Sequence, residues 1–139
     1  MKRTYSTKVS EVERKWHVLD ARRKVLGRLA VEAGKLLIGK HKVNYVPNLD
    51  VGDYVVVVNA KDVAVTGRKE EQKVYRRHSQ YPGGLKERTL GQLREKQPEK
   101  IIEAAVRGML PKNRLQRRRM KRLKVFAGEK HPYEDKIKQ

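Results

Sequence analysis

Between Ala104 and Gly128 there is no acidic residue, but there are nine cations: Arg107, Lys112, Arg114, Arg117, Arg118, Arg119, Lys121, Arg122 and Lys124. Guanidinium and ammonium groups share one chemistry at that density, the binding of phosphate oxygens. With no carboxylate beside them in the chain, they repel one another until a polyanion arrives. Wound as a helix, the run puts Arg117, Arg118, Lys121, Arg122 and Lys124 on one broad face. Leu115, Met120 and Leu123 fall on the other, with Arg119 intruding among them. The apolar side would dock on the protein, and the basic side would meet phosphates.

A second basic segment holds Arg68, Lys69, Lys73, Arg76, Arg77 and Lys86, interleaved with Tyr75, His78 and Tyr81. Bases of unpaired RNA stack on aromatic rings while cations hold the phosphates. For any single aromatic here, packing against the core is the competing role.

Other constellations carry less. Gly34-Lys35-Leu36-Leu37-Ile38-Gly39-Lys40 matches seven positions of a phosphate-binding P-loop, but His41 stands where a magnesium-binding Ser or Thr is needed. The glycines also lie in and at the end of a helical pattern, not between a strand and a helix. Asp50 and Asp53, beside Pro47, Asn48 and Gly52, read as turn formers. His17, His41, His78 and His131 are scattered, with no pair at metal-ligand spacing. There is no cysteine, hence no disulfide, thiolate ligand or thiol nucleophile. No catalytic, cofactor or metal site is expected, and no small-molecule substrate.

The elements that must carry these groups follow from the apolar pattern. Charged residues make up 37% of the chain, against about 25% in an average domain. The apolar residues nonetheless come in blocks, which favours a folded core in a charged shell over disorder. Residues 1–15 read as a basic arm, 16–132 as one α/β RNA-binding domain, and 133–139 as a polar tail. Trp16 to Asp20 suits a first strand, and Leu26 to Gly39 an amphipathic helix ended by its glycine. Tyr54 to Val58 suits a strand covered on both faces, and Val63 to Val65 a further short strand. Residues 68–89 should form a projecting basic hairpin or loop turning at Pro82-Gly83-Gly84. A short helix over 89–96 follows. The next starts at Pro98, presents Ile102, Ala105, Val106 and Met109, and stops at Pro111. Leu123 to Phe126 suits a last strand. The alternation predicts an α/β domain.

Lys+Arg number 35 against 16 Asp+Glu, a formal net charge of +19. Both halves of the chain are basic, which suits a body packed into folded RNA on several sides better than a DNA reader with one face. Met1 to Ser10 has no apolar stretch behind it, so no secretory signal is expected. Nothing approaches the ~20 apolar residues of a membrane span, and a cytoplasmic location is expected.

Read in order, several blocks resemble the bacterial large-subunit ribosomal protein thirteen family. They are Leu26-Gly27-Arg28-Leu29-Ala30, Gly39-Lys40-His41-Lys42, Asp50 with Gly52-Asp53-Tyr54-Val55, and Asn59-Ala60. Thr66-Gly67, Lys69, Lys73, Tyr75, His78 and Tyr81 to Lys86 continue the order. The most specific block is Ala105-Val106 with Gly108 to Asn113 and Leu115, followed by Leu123-Lys124-Val125, Ala127-Gly128 and His131-Pro132. The resemblance implies a three-layer α/β/α domain on a small, mostly parallel four-stranded sheet, with a basic hairpin and a basic C-terminal helix. It implies a structural, non-catalytic role: binding large-subunit ribosomal RNA early in assembly, beside neighbouring large-subunit proteins. The chain departs from the family at Gln116, where glycine is usual, and from Tyr133 onward.

On the residues alone, phosphate contacts fall to Lys40, Lys42, Lys69, Arg76, Arg77, Lys112, Arg114, Arg117, Arg118, Lys121 and Arg122. Arg68, Lys73, Lys86 and Lys124 join them in the RNA-binding set, with Tyr75, His41 and His78 as candidates for stacking or hydrogen bonds. Two rival classes remain open: a DNA-binding regulator using Gln116 and Arg117 on a recognition helix, and an RNA-modifying enzyme.

Overall fold

The computed structural model describes residues 4–138; residues 1–3 of the basic arm and Gln139 of the tail lie outside it. Three parallel strands form the main sheet: β1 (Trp16–Asp20), β2 (Tyr54–Val58) and β5 (Leu123–Val125), with β2 in the centre. Trp16 pairs with Tyr54 and Asp20 with Val58, while Val55 pairs with Leu123 on the other side. The Tyr54–Val58 run is apolar throughout because a central parallel strand is covered on both faces; Val55 to Val58 are all buried.

Helix α1 (Leu26–Ile38) connects β1 to β2 and buries Leu26, Leu29, Ala30, Ala33 and Leu37. It ends where expected, at Gly39, whose φ of 87° is the left-handed conformation that glycine adopts without a steric penalty. The long return to β5 passes through α2 (Lys69–Gln72), an antiparallel hairpin of β3 (Val74–His78) and β4 (Leu85–Thr89), α3 (Leu90–Lys96), α4 (Glu99–Met109) and α5 (Arg114–Lys121). Helix α4 packs on α1, and Ile101, Ile102, Val106 and Leu110 complete the core beside Val55, Val57 and Leu123. Met109, expected in the core, is 49% exposed, and Leu110 is buried beyond the helix end instead.

One expectation about the sheet is corrected. Among the described residues it has three strands rather than four, because Val63 to Val65 form only isolated bridges, Arg22 to Val63 and Val25 to Ala64. The carbonyls of Lys61 and Val63 are taken by the Arg94 guanidinium, at 2.7 and 2.8 Å, which replaces a strand partner. Beside β1, an aromatic cluster leads into a short helix that contacts the strand. Trp16 stacks on Tyr54 at 4.4 Å and on Tyr133 at 5.0 Å, and the one-turn α6 (Glu134–Ile137) follows. The segment from Tyr133 is thus anchored, with Lys136 over the Trp16 ring. Among the described residues, no helix is long and apolar enough to cross a membrane.

Candidate nucleic-acid interface

The chain leaving α1 folds back on the helix end, and Gly52 makes this approach possible. A Cβ there would sit 1.7 Å from the Leu37 carbonyl oxygen. This crossing places Asp50 and Asp53 inside the protein, so neither is the simple turn former that their neighbours suggest. Asp50 takes a two-pronged ion pair from Arg122, whose Nη2 also donates to the Leu37 carbonyl at 3.0 Å. Arg14 donates to the Gly52 and Asp50 carbonyls, and Arg119 Nε lies 3.8 Å from Asp50.

Asp53 is fully buried and gathers four donors. Lys42 Nζ lies 2.5 Å from one carboxylate oxygen, which also accepts from the Lys15 amide at 3.0 Å. His17 Nε2 and His41 Nε2 stand at 2.8 and 2.9 Å from the other oxygen. Burial by itself pushes the Asp53 carboxyl up, but the hydrogen bonds from Lys42, Lys15 and His17 outweigh it and hold the pKa at about 2. Two of the histidines that lie far apart in sequence are therefore brought together by the fold. Their nitrogens and Asp53 lie within 4.8 Å of one another, a donor set suited to a cation. Lys42 already supplies a positive charge to the same carboxylate, so the contacts account for one another as an ion-pair cluster.

This interior consumes part of the basic inventory. Arg122 and Arg119, at 6% and 2% exposure, are buried, and Arg122 does not share the outward face of α5. The neutralising carboxylate comes from Asp50, far upstream, which a local count of charges does not register. Lys42 is likewise tied to Asp53 and to the Val51 and Glu13 carbonyls. Lys124 is half-buried in β5 rather than on a helix.

The remaining cations face outward in two places. On α5 and the turn before it, Lys112, Arg114, Arg117, Arg118 and Lys121 are exposed. Arg114 and Arg118 flank a cleft shared with Pro47 and Asn48. On the hairpin, Arg76, Arg77, His78 and Lys86 are exposed and line a groove of about 760 Å³ against α3 and α4. Arg88, Lys100 and Arg107 line the same groove, and sequence reasoning misses them as binding residues. The available signal is the polar face of α4, where Lys100, Ala104 and Arg107 recur at helical spacing opposite the buried isoleucines. Arg68 caps α2, Lys69 lies in it and Lys73 follows it, all exposed, with Lys73 over the Tyr75 ring. Tyr75 itself packs against the core with its hydroxyl buried, so the competing role holds for much of that ring. Lys40 and His41 are exposed just past α1, His41 with its ring nitrogen on Asp53.

Gln116 fits its position. Helix α5 runs through it unbroken, capped by Asn113, and its side chain donates to the Arg107 and Leu110 carbonyls at 2.9 and 3.4 Å. It thereby ties α5 to the unsatisfied end of α4 and joins the two exposed cationic surfaces at one corner.

A small parallel-sheet α/β body, with Asp50 and Asp53 turned inward and unpaired cations on two outer surfaces, has the make-up of a basic structural protein and no assembled catalytic constellation among the described residues. Within that class, the chain belongs to the family described as Ribosomal protein L13, whose model matches residues 14–132. A "Large ribosomal subunit protein uL13" of Rubrobacter xylanophilus is 58% identical over 131 residues, 94% of this chain and 92% of that protein. Proteins of the same name from Thermotoga maritima and Aquifex aeolicus are each 57% identical, over 134 and 132 residues, with 90% and 92% of their own length covered. The family is structural and non-enzymatic, which answers the RNA-modifying alternative.

Proposed function

We propose that the protein is a structural constituent of the cytoplasmic large ribosomal subunit that holds ribosomal RNA through phosphate contacts and helps fix its fold during early assembly, beside other large-subunit proteins. The observation that carries this reading is the partition of charge. Asp50 and Asp53 are taken up by Arg122, Arg119 and Lys42, and among the described residues the exposed cations of α5 have no ion-pair partner, while on the hairpin only Arg76 has one, Glu87. The exposed Arg76–Glu87 pair, at 2.6 Å, is worth no more than about 1 kcal/mol and leaves Arg76 available. Cations on two surfaces displace counterions from phosphates of neighbouring RNA segments and offset the repulsion between them.

The DNA-regulator alternative keeps only one of its two readers: Gln116 points its amide at the end of α4, while Arg117 stays exposed. Competition of duplex DNA against large-subunit RNA at fixed salt tests the choice. The RNA should win, and preference for the duplex would overturn the proposal.

A further inference from the structure

The groove between the hairpin and α4 differs from the cationic cleft beside α5, because it is larger and has an aromatic ring in its apolar lining. Leu93, Ala104 and the half-buried ring of Tyr75 contribute carbon surface, and the Tyr75 hydroxyl is turned inward, away from solvent. Around them stand Arg77, Lys86, Arg88, Lys100 and Arg107, with Glu103 the one carboxylate of the lining. A volume of about 760 Å³ lies in the range that encloses a small ligand, not a helix of nucleic acid.

Resting on the RNA reading above, we infer that this groove receives one unpaired nucleotide of the RNA. Its base lies on the Tyr75, Leu93 and Ala104 surface, and its flanking phosphates lie on the rim cations. A-form duplex keeps its bases stacked inside and its major-groove edges inaccessible, so it can use the rim but not the apolar surface. A base splayed from a bulge or loop can use both. The cleft beside α5 is smaller, about 450 Å³, and sets Pro47 and Leu115 beside Arg114 and Arg118 with no aromatic ring among its lining residues. The hairpin groove is therefore the part of this protein that distinguishes one RNA shape from another.

Two RNA stems without loops, of equal phosphate number, test this with the full chain, one fully paired and one with a single bulged 2-aminopurine. The bulged stem should bind about tenfold tighter, the scale of one stacked base. The 2-aminopurine emission should also change on binding. Ala104→Gln puts a flexible polar side chain over the apolar floor from an exposed position on α4, and should erase that preference with both stems still bound. Lys100→Ala, at the rim, should weaken both stems and flatten the salt dependence of both. Equal binding of the two stems, or a preference that survives Ala104→Gln, overturns the groove assignment alone. Failure of both stems to bind overturns the RNA reading itself.

Discussion

Asp53 is the residue on which the interior turns. Its carboxyl is held at about 2, below the ordinary 3.8, so it contributes stability that is fully present above pH 4 and is lost as pH falls through 2. A shift of that size corresponds to about 2 kcal/mol. Urea unfolding between pH 5 and pH 2 should show this loss in the natural protein, with a smaller slope in Asp53→Asn. The variant should already be less stable at pH 7, since Lys42, His17 and His41 lose their shared acceptor. Gly52 is as demanding for a steric reason. Gly52→Ala places a Cβ against the backbone carbonyl of Leu37, which no side-chain rotation can relieve, and should lower stability by more than about 2 kcal/mol in the same assay.

At the scale of elements, much is legible in the chain itself. The strands at Trp16 and Tyr54, helix α1 with its terminal glycine, and the hairpin all carry local signals: period, β-branched runs and turn residues. The false fourth strand carries the same signal, and loses because Arg94, thirty-one residues away from Val63, occupies the carbonyl a partner strand would need. Arg122 and Lys42 are misplaced by sequence reasoning for a related reason. A helical projection of the basic run carries no information about Asp50 or Asp53, which a folded-back loop brings to them. The clustering of His17 with His41 also depends on that loop and is not a matter of spacing. Gln116 shows the opposite case, a residue expected to disturb the backbone whose side chain the fold uses. Gln116→Gly should cost about 2 kcal/mol, one part from the missing hydrogen bonds to the end of α4 and one from glycine within a helix. Thermal unfolding would measure it, and an unchanged midpoint would mean that the junction of α4 and α5 is not held by this side chain.

For the molecule as a whole, sorting its arginines into buried and exposed sets separates two effects that a net charge of +19 conflates. Arg122 is buried against Asp50, and removing one partner of such a pair leaves the other charge uncompensated, at a cost of about 3–5 kcal/mol. Arg122→Ala should therefore lower the unfolding midpoint. Where the variant remains folded, the salt dependence of its RNA binding should match that of the natural protein. Arg117, Arg118 and Lys121 are exposed, and changing all three to Ala should leave stability within about 0.5 kcal/mol. Removing one cation from a phosphate flattens the slope of log affinity against log salt by up to about 0.9, so the triple variant should lose up to about 2.7. Filter binding across a salt series distinguishes these outcomes. If the triple change leaves the slope intact while Arg122→Ala flattens it, the outward face of α5 does not touch phosphates, and the division of charge between core and surface has the opposite meaning.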